Sequence, residues 1–176
     1  MCLLKNDVAP KTRRRLLPLS PALKLAFIGP HANSSLDLLG NDYNQDNKAI
    51  HGQTPLRGAR RAGLSVSFQP GCVDGIKCAQ TSGFGAAVSA AAAADVAIVF
   101  LGISEQVENE GRDRTDLKLP GHQADLALAV SKAQPSTIVV LAHGGIVEID
   151  DLLSSASIPA ILTMFYPGSS KNNSPH

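Results

Sequence analysis

The alternation of short apolar runs with helical patterns limits the folds open to this chain more than any other feature. Five runs rich in β-branched or aromatic residues end near glycine, proline or a polar turn, at 23–29, 64–69, 96–102, 137–143 and 159–166. Apolar residues recur at helical spacing between them, at 54–62, 83–95, 121–133 and 146–156. The strand candidates are continuous apolar runs, which indicates burial on both faces. We therefore predict an α/β fold, a doubly wound and mostly parallel sheet of about five strands with helices on both faces.

The loops that follow these strands are where we expect a functional site. The carboxyl ends of parallel strands meet at one edge of a sheet, and ligands are usually bound there. That edge would gather the segments IGPHANSS, PGCVDG, HGG and YPG together with an acidic segment after the third strand. Residues 31–53, rich in Asn, Asp and Gly, lack a clear period and are expected to form an extended loop at the same edge.

Composition excludes several broad classes of function. The 176 residues, 44% of them hydrophobic, suit one globular domain. The net charge is +1 and the only basic run is at 11–15, so we expect no nucleic-acid partner and no membrane partner. We find no long apolar run typical of a membrane span and no signal-peptide pattern after Met1.

The glycines and cysteines give no evidence for a cofactor, a metal or a nucleophile. The strand-end glycines match neither a dinucleotide fingerprint nor a phosphate-binding loop, and no serine lies in a GxSxG elbow. The spacing of Cys2, Cys72 and Cys78 does not fit a zinc site. Cys72 and Cys78 are close enough in sequence for a disulfide, and two free thiols are the alternative. We therefore predict that the chain uses no cofactor and no metal.

The acidic segment VENEGRDRTDLKLPG, at 107–121, is the main candidate for chemistry. Glu108 and Glu110 are two residues apart and would point the same way in an extended loop. Asp113 and Arg114 follow a glycine that permits a sharp bend. The segment admits two interpretations: a carboxyl group that acts as a general acid or base, or a loop held in shape by Glu–Arg and Asp–Arg pairs.

The order and wording of these segments resemble the C-terminal α/β domain of glycoside hydrolase family 3, over about residues 2–168. The most specific part is the block E-x-E-G-x-D-R-x-x-L-x-L-P-G-x-Q, which starts at Glu108 and ends at Gln123, followed by the HGG and YPG strand ends. The GC pair with a second cysteine leans toward the β-xylosidase-like branch. The resemblance implies an N-terminal lead or linker at 1–22, the α/β domain at 23–168 and a polar, disordered tail at 169–176.

The resemblance also implies a function: a retaining exo-β-glycosidase acting on β-xylosides or β-glucosides in polysaccharide breakdown. Such enzymes need two carboxyl groups about 5–5.5 Å apart, one as nucleophile and one as acid/base. The nucleophile would come from a (β/α)8 barrel, supplied in cis or in trans. Glu108 matches the family's acid/base, with Glu110 as the runner-up. Asp113 and Arg114 match a DR pair that would support the glutamate.

Two departures from the family pattern suggest an alternative. No barrel precedes MCLLKND, and SSKNNSPH replaces the family's continuation after YPG, so we expect a C-terminally truncated sheet with an exposed edge and an inactive isolated chain. The alternative function is a non-catalytic sugar-binding or interaction module, a relic fragment. Family members are commonly secreted, but without a signal peptide on this chain the location stays open.

Overall fold

The described residues of the computed structural model, 1–9, 12–39 and 54–167, contain one sheet of six strands. The strands are β1 (Cys2–Asn6), β2 (Lys24–Ile28), β3 (Ser65–Gln69), β4 (Val96–Gly102), β5 (Thr137–Ala142) and β6 (Ala160–Thr163). Their order across the sheet is β1–β6–β5–β4–β2–β3, and only β1 is antiparallel to its neighbour. The mostly parallel sheet is thus confirmed, with one strand more than predicted. Residues 40–53 of the predicted loop and the predicted tail at 169–176 lie outside the described residues.

The additional strand, β1, lies in the segment predicted to be a lead or linker. It pairs with β6, with Cys2 opposite Thr163 and an irregularity in register between Leu3 and Lys5. β1 therefore covers the outer side of β6, and β1 and β3 are the edge strands of the sheet in the described residues.

Four helices and a short 3-10 helix cover the sheet in the described ranges. They are α1 (Pro55–Arg61), α2 (Phe84–Ala92), α3 (Gln123–Ala133), α4 (Asp150–Ser154) and the 3-10 helix Gly75–Lys77. None of these helices is long and apolar enough to cross a bilayer. Thr54 begins α1 as its N-cap, because its hydroxyl accepts from the Arg57 N–H at 3.1 Å.

Burial on both faces of the sheet explains the continuous apolar sequence of β4. Ala97, Val99 and Leu101 belong to a core shared with α2, α3 and α4. The intervening residues, such as Ile98 and Phe100, belong to a second core, shared with α1, with Ala9 and with apolar residues of the segment at 16–23. Every residue of β4 is buried as a result.

The sheet has a switch point between β2 and β4. The chain passes from β2 to β3 on one side and then returns to the other side of β2 to form β4. The loops after β2 and β4 consequently diverge and leave room for a ligand at the carboxyl edge.

Candidate active site

The long loop at 103–122, which follows β4, is anchored at its base by the buried side chain of Gln123. The Gln123 Oε1 accepts from the Gly102 N–H at 2.8 Å, and its Nε2 donates to the Gly102 carbonyl at 2.9 Å. The same Nε2 donates to the Ile76 carbonyl at 2.8 Å. Gln123, the final residue of the sequence block, therefore connects the end of β4 to the 3-10 helix.

The far end of the loop packs on a disulfide-closed segment. Cys72 and Cys78 are bonded to each other, with their Cα atoms 4.7 Å apart. The His122 N–H donates to the Cys78 carbonyl at 2.8 Å. Gly121 has φ +53°, and a Cβ there would overlap the carbonyls of Lys77 and Cys78. In the P-G-x-Q part of the block, the backbone at Gly121 therefore lies directly against the backbone of Lys77 and Cys78, and only glycine fits there.

The middle of the loop is a tight turn rather than an extended segment. Asn109 and Arg112 exchange backbone hydrogen bonds of 3.1 and 2.9 Å. Glu110 and Gly111 form the tip of this turn, and Gly111 has φ +77°. The expectation that the two glutamates point the same way is wrong, because Glu110 is exposed at the tip whereas Glu108 is half-buried.

Glu108 is held by Arg114. The Arg114 Nε donates to Glu108 Oε2, and its Nη2 donates to the Ile146 carbonyl at 2.5 Å. The Arg114 side chain is only 8% exposed, whereas that of Glu108 is 34% exposed. Glu108 Oε1 accepts no hydrogen bond from any residue that the structure describes. One carboxylate oxygen is therefore anchored and the other is available.

The HGG segment after β5 forms the wall behind this pair. A Cβ on Gly145 would overlap Glu108 Oε1 and come within 3.1 Å of Arg114 Nη2. A Cβ on Gly144 would come within 2.8 Å of the Tyr166 ring. Two successive glycines are needed here because two different side chains lie directly against the backbone.

Asp113 does not join Glu108. It is exposed, and within the described ranges its carboxylate makes no hydrogen bond or ion pair. It lines a surface pocket of about 540 Å³ formed by residues 112–116, by 118–121 and by Val107. Glu108 does not line this pocket. Of the predicted supporting pair Asp113 and Arg114, only Arg114 contacts Glu108.

Two residues of the site that the sequence analysis did not single out are Tyr166 and His31. Burial raises the pKa of Tyr166 to about 12, and Glu108 and Asp37 act in the same direction. Burial lowers the pKa of His31 to about 4, although Asp37 and the backbone of Ile103 oppose the shift. Among the described residues, neither ring nitrogen has a partner at hydrogen-bonding geometry. Their positions next to strand ends were the only sequence signal. In the part of the chain that is described, no three His, Cys, Asp or Glu side chains are grouped to hold a metal ion.

Comparison with known proteins identifies the family. The family model described as "Glycosyl hydrolase family 3 C-terminal domain" matches residues 1–174. The chain belongs to glycosyl hydrolase family 3. Among curated relatives of this family 3 domain, the "Probable exo-1,4-beta-xylosidase bxlB" of Aspergillus terreus is 39% identical over 165 residues, and "Beta-D-xylosidase 1" of Arabidopsis thaliana is 36% identical over 169 residues. Each alignment covers 94% of this chain but only 20% of the relative.

Solved structures confirm the fold of the family 3 domain. A GH3 exo-β-xylosidase, XlnD, in complex with a xylobiose aziridine activity-based probe is 35% identical with a TM-score of 0.83, over 96% of this chain and 20% of that chain. A GH3 β-glucosidase from Bifidobacterium adolescentis is 29% identical with a TM-score of 0.74, over 91% of this chain and 22% of that chain. The chain therefore spans about a fifth of these proteins, as a domain of a glycoside hydrolase family.

Proposed function

We propose that this domain supplies Glu108 as the general acid/base of a retaining exo-β-glycosidase. The observation that carries the proposal is the way Glu108 is held. Arg114 fixes Oε2 in a largely buried contact, and Oε1 accepts no hydrogen bond from the described residues. The pair lies after β4, beside the switch point of the sheet, where ligands of such folds are met.

In the proposed mechanism Glu108 acts twice. It first gives a proton to the leaving glycosidic oxygen while a nucleophile attacks the anomeric carbon, and it then takes a proton from the water that releases the sugar. A nucleophilic carboxylate about 5–5.5 Å away is needed. We propose that a (β/α)8 barrel, in cis or in trans, supplies this carboxylate and most of the sugar pocket.

Glu110 remains the runner-up for the same role, and its surroundings support it less. It is exposed at the tip of the Asn109–Arg112 turn and has no partner among the described residues that would orient its carboxylate. General acid catalysis depends on a fixed hydrogen-bonding geometry. The anchored carboxylate of Glu108 meets that requirement.

We propose β-xylosides, in preference to β-glucosides, as the substrates. The relatives that are 36–39% identical carry β-xylosidase names, and the β-glucosidase structure is 29% identical. The proposed substrate is therefore an oligosaccharide or glycoside with a terminal β-xylosyl unit.

The test uses a fusion in which this domain replaces the matching fifth of XlnD. In Glu108→Gln we expect kcat/KM on an alkyl β-xyloside to fall by roughly 10²–10⁴-fold, because that leaving group needs a proton. A dinitrophenolate leaving group needs no proton, so the rate of the first step, in which the glycosyl-enzyme forms, should change little with a dinitrophenyl β-xyloside. The matched variant Glu110→Gln should retain activity on both substrates. Full activity of Glu108→Gln on the alkyl substrate would exclude Glu108, and loss in Glu110→Gln would transfer the role.

A further inference from the structure

We propose that His143 is a positioning residue for Glu108 and acts through the backbone of Gly145. The inference rests on the proposed function, since it concerns the geometry of the same carboxylate. His143 is the first residue after β5, and its ring makes no hydrogen bond to Glu108.

Both nitrogens of the His143 ring are engaged. Nδ1 lies 2.7 Å from the Gly145 carbonyl, and Nε2 lies 2.8 Å from Thr163 Oγ1. A carbonyl oxygen only accepts, so Nδ1 carries a hydrogen and donates it to Gly145, and Nε2 shares the second hydrogen bond with the Thr163 hydroxyl. The Phe165 ring packs against the imidazole, with 5.2 Å between ring centroids. The ring is thereby fixed between the ends of β5 and β6.

The hydrogen bond to Gly145 fixes the surface against which Glu108 rests. The Gly145 Cα faces the Glu108 carboxylate and Arg114 Nη2 so closely that no side chain fits. The next carbonyl along the chain, that of Ile146, accepts from the same Nη2 at 2.5 Å. Without the hydrogen bond from Nδ1, the peptide between Gly145 and Ile146 is free to rotate. Its rotation would displace both the surface that contacts Glu108 and the carbonyl that binds Arg114.

Other side chains cannot replace the ring equally. The amide of an asparagine at 143 can place an N–H where Nδ1 lies, whereas the amide of a glutamine reaches toward Thr163 instead. The two substitutions therefore separate the bond to Gly145 from the bond to Thr163. Alanine removes both bonds together with the contact to Phe165.

The test compares H143N, H143Q and H143A in the XlnD fusion, with the alkyl and dinitrophenyl β-xylosides as substrates. We expect H143Q and H143A to lose roughly 10- to 100-fold in kcat/KM on the alkyl xyloside, because small displacements of a catalytic group are costly. They should lose much less on the dinitrophenyl xyloside. H143N should retain most of the activity on both substrates.

The control is Glu108→Gln in the same fusion. If its loss does not depend on the leaving group, the proposed function fails. If Glu108→Gln shows that dependence but H143Q and H143A reduce activity equally on both substrates, His143 is only structural and the inference is overturned. Activity of H143N no better than that of H143A would also overturn it, because the bond to Gly145 would then be irrelevant.

Discussion

Arg114 binds one carboxylate oxygen of Glu108 and, through a second guanidinium nitrogen, a backbone carbonyl of the neighbouring loop. Its Nε donates to Glu108 Oε2 and its Nη2 donates to the Ile146 carbonyl at 2.5 Å. The planar guanidinium thus joins the loop after β4 to the loop after β5. The orientation of Glu108 depends on this connection.

Replacing Arg114 with lysine should impair catalysis although the charge is kept. A lysine ammonium is a point charge and cannot bridge Glu108 and Ile146 in the same geometry. We expect kcat/KM of the XlnD fusion on an alkyl β-xyloside to fall by roughly tenfold or more. Arg112→Lys is the control, because Arg112 is exposed on the same loop and, among the described residues, its side chain donates only to the Gln106 carbonyl, at 3.0 Å. Equal effects of the two substitutions would contradict the account.

Gly145→Ala should displace Glu108. The added Cβ would overlap Oε1, and overpacking of this kind costs about 1–3 kcal/mol. We expect lower stability in urea denaturation and a loss of activity on alkyl β-xylosides. Gly58→Ala is the control, since Gly58 lies in α1 and an added Cβ would meet no described atom outside the helix within 4 Å, and it should stabilise by up to about 1 kcal/mol. A Gly145→Ala variant as active and stable as the parent would show that the contact is not restrictive.

Gln123→Ala should destabilise the domain by at least about 3 kcal/mol, because it leaves the Gly102 N–H, the Gly102 carbonyl and the Ile76 carbonyl without their partner. Urea denaturation measures the change. Gln80→Ala, at an exposed position, should alter the free energy of unfolding by less than about 0.5 kcal/mol. The prediction fails if the two substitutions cost the same.

His31 should make the domain less stable in mild acid. Burial lowers its pKa to about 4 from an ordinary 6.5. Below pH 6.5 His31 becomes protonated in the unfolded chain, whereas in the folded domain it stays neutral until the pH approaches 4. The free energy of unfolding therefore decreases as the pH falls from 6.5 to 4, and His31 does not affect it at higher pH. The contribution lost at pH 5 is roughly 2 kcal/mol. The comparison is the difference in unfolding free energy between pH 7.5 and pH 5, which should shrink in His31→Leu. An unchanged difference would contradict the assignment.

Local patterns predicted the strands well where burial is continuous. The bounds of β4 agree with the prediction because its whole apolar run is buried. The helix predicted at 146–156 is shorter, Asp150–Ser154, because the preceding residues pair with the loop after β4, and the Glu148 N–H donates to the Leu117 carbonyl at 2.7 Å. β1 was not predicted, because its partner β6 lies at the other end of the sequence. A short strand has no local signal for a partner so distant.

The acidic segment was recognised as the candidate site, but its geometry was not predictable from spacing. Glu108 and Glu110 are equivalent in the pattern E-x-E, and only the turn closed by Asn109 and Arg112 separates them. Gly145 reaches the site from a different strand end, so its role depends on the tertiary fold. The resemblance to the family favours Glu108 over Glu110, whereas residue spacing does not distinguish the two.

Azide rescue of Glu108→Ala in the XlnD fusion tests the central claim most directly. With a dinitrophenyl β-xyloside the covalent intermediate still forms, and azide then attacks it without needing a general base. If Glu108 is the acid/base, azide accelerates turnover and the product is the β-xylosyl azide, identified by NMR spectroscopy. No acceleration by azide, or an α-xylosyl azide product, would contradict the assignment of Glu108 as the acid/base.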